Sequence, residues 1–207
     1  MSYQTIILDS APLDKLSNYK SILDLVNNDQ KVILLVDGSA SMQKQLIQIA
    51  KEYVVQNLSK AISSFQLFIE STTSICNQLF ATDHSIFSDI NDLFVEIEWI
   101  LEDEIMDDFA YYHDQITSIG PLIQSKIVTA FLIKNKINAK WVDTRDLIIT
   151  DENYQNPNII SGLTKTNIQS LAFSNPILVL PNRIGATLNI TTTTFAKDDA
   201  FLACFKS

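Results

Sequence analysis

At the start of the chain, short continuous apolar runs flank a segment in which apolar residues recur at helical spacing. Residues 6–8 form a short apolar run, and apolar residues then recur at helical spacing from Leu13 to Val26. Residues 31–36 hold, after Lys31, a continuous apolar run, which suits a strand buried on both faces of a parallel sheet. The order therefore predicts strand, helix and strand, the unit from which parallel sheets grow.

A long helical region is predicted next. Residues 41–80 keep a helical period with no proline or glycine, and a second such stretch covers residues 86–105. We predict an all-helical insert over residues 41–113, formed by an antiparallel pair of helices. Aromatic residues at this spacing usually belong to a core, although an oligomer interface is the alternative. These residues are Phe65, Phe68, Phe80, Phe87, Phe94 and Trp99.

The remaining chain returns to alternating helices and strands. Gly120 and Pro121 mark a helix start, because proline is pre-organised for the first helical position. Two short β-like segments then flank residues 144–146. The later predicted elements are a helix at 163–173, a strand at 176–180, a β-rich stretch at 186–195 and a last helical turn from Asp198.

Composition and charge narrow the class of protein. The chain has 207 residues, of which 46% are hydrophobic and 19% charged, as expected for one globular domain or a domain with a subdomain. A net charge of −9 without a basic cluster predicts neither nucleic acid nor a membrane as a partner. The two distant cysteines, the lack of a secretion-like start and the short apolar runs predict a soluble cytoplasmic protein.

An ordered series of residues between positions 114 and 154 resembles a stretch of the aspartate kinases. In that family Ser-x-Gly-Glu opens a helix, which leads to a strand ending in Asp-x-Arg and then to Thr-Asp. Residues 31–50 are similar to the family's second strand, Ser-Ala loop and helix, and residues 184–194 to its Ile-Gly…Thr-Thr-Thr hairpin. The matching residues of the central stretch are Ser118, Gly120, Trp141, Asp143, Arg145, Thr150, Asp151 and Tyr154.

The resemblance implies a fold and a division of the chain. The expected fold class is α/β, a three-layer α/β/α sandwich with a mainly parallel sheet, as in the amino acid kinase family, plus the helical insert. The chain would be one truncated domain over residues 1–207, similar to the N-terminal part of an aspartate kinase. It would stop before the nucleotide-binding half.

The same resemblance implies a set of substrate-binding candidates. These are Ser39, Thr192, Thr193, Thr194, Lys197 and Asp199. Lys197 would stand in for a substrate-gripping arginine, although an ammonium cannot grip a carboxylate in bidentate fashion. The competing interpretation is structural, since threonines favour strands and residues such as Lys197 and Asp199 often cap helices or face solvent.

Several chemical features of the family are replaced in this sequence. Phosphoryl transfer needs positive charge and backbone N–H groups around the phosphates, usually from glycine-rich turns. The family's Lys-Phe-Gly-Gly-Thr-Ser is replaced by Leu-Asp-Ser-Ala-Pro-Leu at residues 8–13, and its glutamate by Pro121. A nearby serine of the family is replaced by Gln124 in this chain. The family's Leu-Gly-Arg-Gly-Gly-Ser-Asp is shortened here to residues 195–199. We therefore predict no cofactor, with ATP and Mg only if activity is retained.

Other chemistry-bearing residues favour structural roles. Asp143 and Arg145 suit an ion pair at a strand end, with a ligand role as the alternative. The acidic residues of 102–108 lack the ligand pattern of a calcium loop and suit a solvated helix face. His84 and His113 have neither metal-ligand spacing nor a nucleophile beside them in sequence.

The sequence thus predicts a degenerate homologue that keeps the scaffold of an aspartate kinase. Its role would be that of a binding or interaction module, with a small amino acid as candidate ligand and a second chain, identical or not, as candidate partner. The alternative is an active kinase fragment, phosphorylating the side-chain carboxylate of aspartate with ATP once another chain completes it. A third hypothesis is assembly through the helical insert.

Overall fold

A computed structural model describes residues 3–8, 16–27, 29, 31–171 and 176–205. The elements are β1 (Gln4–Leu8), α1 (Leu16–Leu25), β2 (Val32–Val36), α2 (Ala40–Val54), α3 (Leu58–Leu79), α4 (Ile86–Glu102), α5 (Phe109–Thr117), α6 (Ile119–Lys134), β3 (Ala139–Trp141), a 3₁₀ turn (Thr144–Asp146), β4 (Ile149–Thr150), α7 (Ser161–Ser170), β5 (Ile177–Pro181), β6 (Ile184–Thr187), β7 (Thr192–Thr194) and α8 (Asp198–Ala203).

Two sheets organise the protein. The larger sheet has the strand order β1-β2-β5-β3, and its neighbouring strands are all parallel. The smaller sheet has the order β4-β6-β7, with β4 parallel and β7 antiparallel to β6. The predicted parallel sheet and the predicted opening of strand, helix and strand are therefore confirmed.

The larger sheet lies in the middle of three layers. Every residue of β2 is buried, as the continuous apolar run predicts. Leu34 and Val36 join the core formed with α1, α6 and the helices α2 to α4. Ile33 and Leu35 point to the opposite face and join a smaller core that contains Phe195 and Phe201. The predicted α/β sandwich with a mainly parallel sheet is confirmed.

The helical region differs from its prediction in one place. The continuous period over residues 41–80 predicted one helix, but α2 ends at Val54 and α3 begins at Leu58. Gln56 has a φ of 60°, a left-handed conformation that is incompatible with an α-helix. Because that residue is neither glycine nor asparagine, the usual sequence signal for a helix end is missing. Residues 41–105, predicted as an antiparallel pair of helices, therefore form the three helices α2, α3 and α4.

The aromatic residues of this region mostly lie in the core. Phe65, Phe68, Phe80 and Phe94 are buried and belong to the same cluster as Leu34 of the central sheet. The insert and the sheet therefore share one hydrophobic core. Phe87 packs against it while partly buried, and only Trp99 of the six is exposed, with 65% of its surface accessible.

The junction of α5 and α6 lies where Gly120 and Pro121 predicted a helix start. Helix α6 begins at Ile119, and only Ser118 separates it from α5. Because Pro121 lacks an N–H group, it cannot donate to the Thr117 carbonyl four residues earlier. That oxygen instead accepts a long hydrogen bond of 3.5 Å from Gln43 Nε2.

In the described part of the chain, one helical stretch, Phe109–Lys134, is apolar and long enough to cross a membrane by composition. Its most apolar window has a mean hydropathy of 1.5 but is 83% buried inside the protein. Such burial is the property of a core helix.

Candidate functional site

A pocket of about 320 Å³ opens at the carboxyl ends of β2 and β5. In parallel sheets the loops that follow the strands meet at this edge, which is the usual position of ligand sites. The volume suits a small metabolite. The pocket is lined by Asp37, Gln43, Ile47, His113, Thr117, Ser118, Pro121, Gln155, Asn182, Arg183, Ile184, Thr194, Phe195 and Ala196.

An ion pair occupies one wall of the pocket. Val36 is paired with Pro181 in the sheet, so the residues that follow the two strands lie side by side. Arg183 donates to Asp37 Oδ1 from Nε at 3.2 Å and from Nη2 at 3.0 Å. Arg183 occupies the tight turn between β5 and β6 with a φ of 58°. A cation and an anion are thus presented together to the pocket.

Asn182 adds an acceptor to this wall. Its side chain is fully buried, and its Nδ2 donates to Asp37 Oδ2 at 3.2 Å. Its Oδ1 has no hydrogen-bond partner in the described structure. A buried amide oxygen without a donor is costly, so this atom is suited to accept from a bound ligand.

Two glycines bring the pocket's walls together, although they are distant in sequence. A Cβ atom on Gly38 would lie 2.7 Å from Gln43 Nε2 and 3.0 Å from the Gly120 carbonyl carbon. A side chain at position 38 would displace the Gln43 amide and press on the backbone of Gly120, so glycine suits the close approach of the loop after β2 to the start of α6. The pair therefore serves close packing between these two elements.

A buried carboxylate supports the opposite wall. Asp114 is fully buried, and its Oδ2 accepts from the backbone N–H groups of Gln155 and Thr194, each at 2.8 Å. Its Oδ1 accepts from Thr194 Oγ1 at 2.5 Å and lies 3.2 Å from His113 Nδ1. Asp114 thereby joins α5, β7 and the loop after β4. Three of its partners, His113, Gln155 and Thr194, line the pocket.

The predicted candidates are only partly brought together. Thr194 lines the pocket. Ser39 is buried between Asp37 and the helix that follows, where its Oγ caps α2 by accepting from Met42 N at 3.3 Å. Thr193 is buried and hydrogen-bonded to Thr150 Oγ1 at 2.9 Å, so it links two strands of the smaller sheet.

The other three candidates lie outside the pocket lining. The backbone of Thr192 is held by Gln115, which donates to its carbonyl at 2.7 Å and accepts from its N–H at 2.9 Å. Lys197 and Asp199 are exposed at the beginning of α8. Lys197 occupies the N-cap position, but its side chain makes no capping hydrogen bond. Residues 9–13, where the family's lysine-containing loop was compared, lie outside the described residues.

Asp143 and Arg145 form the ion pair predicted for them. Arg145 donates to Asp143 from Nε and from Nη2, the latter at 2.9 Å, and Nη1 contacts Glu96 Oε2 at 3.0 Å. Burial alone would lower the pKa of Arg145, but the two carboxylates outweigh it and raise that pKa. The network ties α4 of the insert to the end of β3.

The acidic segment 102–108 is exposed at its carboxylates. Asp108 caps α5 by accepting from Tyr111 N at 3.0 Å. Within the described residues, no group of three His, Cys, Asp or Glu side chains is arranged to hold a metal ion.

Sequence reasoning missed the residues that form the polar wall of the pocket. Asp37, Asn182 and Arg183 directly follow predicted strands, and that position is the signal by which they could have been found. His113 was missed for a different reason. Its partner Asp114 is adjacent in sequence, but the pocket beside them forms only when β7 and the β5–β6 turn are in place.

Solved structures with the same architecture identify the fold. Aspartokinase III of E. coli, in complex with lysine and aspartate, superposes with a TM-score of 0.83 at 14% identity, over 97% of this chain and 46% of that one. The protein has the aspartokinase fold. The same enzyme with aspartate and ADP gives a TM-score of 0.80 at 15% identity, over 93% and 43% of the two chains.

A third aspartokinase-like match extends the comparison to another organism. Clostridium acetobutylicum aspartate kinase gives a TM-score of 0.71 at 16% identity, over 99% of this chain and 45% of that one. The chain thus spans less than half the length of these enzymes. At the level of sequence alone, no protein-family model and no curated protein matches it. The likeness at such low identity concerns the fold.

Proposed function

We propose that this protein is a binding module for a small α-amino acid, built on an aspartokinase-like scaffold and no longer a kinase by itself. The observation that carries the proposal is the polar wall of the pocket, where Arg183, Asp37 and the unpartnered Asn182 Oδ1 lie together. A zwitterion carries one carboxylate and one ammonium close together. This wall offers a partner of the correct sign to each.

The position of each partner supports that assignment. Both Arg183 contacts to Asp37 go to a single carboxylate oxygen, through Nε and Nη2. A guanidinium can bind a carboxylate through two of its N–H donors, and Arg183 is the arginine that lines this pocket. The ligand ammonium would be placed at Asn182 Oδ1 and the neighbouring Asp37 carboxylate. The comparison structures support this ligand class, since one has lysine and aspartate bound and another has aspartate and ADP bound.

The replaced motif residues support binding without phosphoryl transfer. Pro121 lines the pocket at the place where the aspartate kinases carry a glutamate. Lys197, the candidate substitute for their arginine, is exposed and outside the lining. Stabilising a transferred phosphate requires cations directed at it, which these residues do not provide. The cytoplasmic location and the division into one domain with an insert at 41–113 belong to the same proposal.

Calorimetric titration of the intact chain with aspartate, lysine, threonine and an ATP analogue tests this function. We expect one of the amino acids to bind, and Arg183→Ala to weaken it by about 10-fold to 100-fold, the value of a hydrogen-bonded charge. Lys197→Ala is the matched control, because it removes a cation outside the pocket. If no amino acid binds, or if the two variants weaken binding equally, the proposal is wrong.

One observation favours the alternative function, an active kinase half completed by another chain. The matched aspartokinases are more than twice as long as the aligned region, and one of them has ADP bound. Phosphorylation of aspartate by ATP and Mg should be assayed with the chain alone and with candidate partner chains. Turnover that appears only with a partner supports this alternative, and inactivity in both settings eliminates it.

A further inference from the structure

His113 connects the buried carboxylate of Asp114 to the pocket. Its Nδ1 lies 3.2 Å from Asp114 Oδ1, and the residue itself lines the pocket. Its side chain retains 21% of its surface accessible, whereas that of Asp114 is fully buried. The Phe109 ring packs beside the imidazole, with 5.6 Å between the centroids. The ring is therefore fixed in orientation from two sides.

The contact with Asp114 assigns the two ring nitrogens different roles. Both side-chain oxygens of Asp114 act as acceptors, from two backbone N–H groups and a threonine hydroxyl. Nδ1 therefore donates to Asp114, and Nε2 is the nitrogen left for a ligand. Neutral His113 would offer an acceptor at Nε2, and protonated His113 a charged donor.

The charges around the pocket decide which state suits an acidic ligand. Asp114 on the same helix contacts His113, and the charged residues Asp37 after β2 and Arg183 in the β5–β6 turn line the same pocket. With neutral His113 these sum to a net negative charge, which repels a second ligand carboxylate. Protonation of His113 cancels this net negative charge and places a hydrogen-bond donor in the pocket.

We propose that His113 determines specificity by binding the side-chain carboxylate of an acidic amino acid in its protonated form, so that binding takes up one proton. This inference rests on the proposed function, since it concerns the same ligand. Arg183 and Asn182 hold the amino-acid backbone, and His113 selects the side chain. An amino acid whose side chain is a neutral isostere of the carboxylate gains no affinity when His113 is protonated.

The experiment compares L-aspartate with L-asparagine in calorimetric titrations between pH 5.5 and 8, the interval in which histidines ordinarily titrate. Repeating each titration in two buffers of different ionisation enthalpy counts the protons taken up. His113→Gln removes the charge, and His113→Lys keeps a cation throughout the interval. His84→Gln is the control, because His84 lies at the start of α4, where its Nδ1 accepts from Ile86 N.

For the wild type and His84→Gln we expect aspartate affinity to fall as the pH rises, by up to about tenfold per pH unit toward pH 8, where proton uptake should approach one. Asparagine binding should be independent of pH. Both His113 variants should lose the pH dependence for aspartate, with the lysine variant binding more tightly than the glutamine variant at pH 8.

Two outcomes overturn the inference in distinguishable ways. If aspartate binds without proton uptake, or if the pH dependence persists in His113→Gln, His113 is not the proton acceptor, although the proposed function stands. If no amino acid binds at any pH, the proposed function fails and this inference fails with it. A denaturation curve of each variant separates lost binding from lost folding.

Discussion

Two regions that resemble aspartate kinases in sequence behave oppositely in the structure. Asp114, at the start of the strongest resemblance, is fully buried and holds three segments together through four donors. Lys197 and Asp199, at the end of the weaker resemblance, are exposed and do not line the pocket. The first region keeps residues that position the chain. In the second, the candidate residues lie at the surface and not in the pocket.

The difference teaches that residues which resemble the aspartate kinases can serve packing and not chemistry. Asp143 and Arg145 form a structural ion pair, and Thr150 and Thr193 bond to each other inside the smaller sheet. A motif match of this kind predicts a fold more securely than it predicts chemistry. The comparison can be tested by substituting residues of both regions.

The largest effect is expected for Asp114→Ala. The substitution removes a fully buried carboxylate and leaves the half-buried backbone N–H groups of Gln155 and Thr194 without their acceptor, and should cost about 3–5 kcal/mol of the free energy of unfolding. Urea denaturation measures the change. Asp114→Asn is the matched variant, since it keeps the shape and one oxygen and should cost less. A loss below about 1 kcal/mol for Asp114→Ala would contradict its structural role.

A second buried carboxylate lies in the helical insert, away from the pocket. Glu52 accepts from Gln48 Nε2 and from Ser64 Oγ, each at 2.6 Å, and lies 3.3 Å from Lys60 Nζ. Burial alone would raise the pKa of Glu52, but these contacts together outweigh it and lower that pKa. Glu52→Gln should cost about 2 kcal/mol of the free energy of unfolding at neutral pH.

The pH dependence of this variant follows from the direction of the shift. A lowered pKa in the folded state gives stability above the unfolded value of about 4.3, which is lost as the pH falls through the folded pKa. The deficit of Glu52→Gln should therefore shrink as the pH falls below about 4. Denaturation at pH 7 and pH 3 checks this, and a constant deficit would be inconsistent with the lowered pKa.

Arg145→Ala should have a smaller effect. It removes the contacts of Arg145 with Asp143 and Glu96, and we expect a loss of about 1–2 kcal/mol of the free energy of unfolding. Hydrogen exchange should report increased opening of α4 before the rest of the core, because Glu96 lies on that helix. Arg145→Lys should recover only part of the lost free energy of unfolding, since an ammonium cannot reproduce the planar contact of the guanidinium with the carboxylates. Full rescue by lysine would contradict the role of that geometry.

The smallest effect is expected in the second region. Lys197→Ala and Asp199→Ala change exposed side chains outside the pocket lining, so each should alter the free energy of unfolding by less than about 0.5 kcal/mol. Neither should change amino-acid affinity more than about twofold, within the scatter expected of surface substitutions. A large loss of affinity in either variant would show that these residues take part in binding and would contradict the contrast between the two regions.

Much of this fold can be predicted from the sequence, because its strongest signals are continuous apolar runs and helical periods. β2 and β5 are such runs, and both are buried throughout. The break between α2 and α3 could not be predicted, since Gln56 adopts a left-handed conformation without a residue type that favours it. The local sequence pattern reflects the intrinsic preference of the residues for a helix, whereas tertiary packing decides where such a helix is broken.

The candidate site was harder to predict than the fold. Thr194 was found by resemblance, but Asp37, Asn182 and Arg183 come together only because β2 and β5 are neighbours in the sheet. Gly38 and Gly120 also meet across the fold, although they are far apart in sequence. Contacts of this kind depend on topology, which a single sequence does not state.

The most direct test of the account is a calorimetric titration of the intact protein with L-aspartate at pH 6, alongside Arg183→Ala and Lys197→Ala. We expect a single site per chain, whose affinity for L-aspartate falls by about 10-fold to 100-fold in Arg183→Ala and is unchanged in Lys197→Ala. Binding that depends on Lys197 and not on Arg183 would contradict it, as would the absence of binding by a folded wild-type protein.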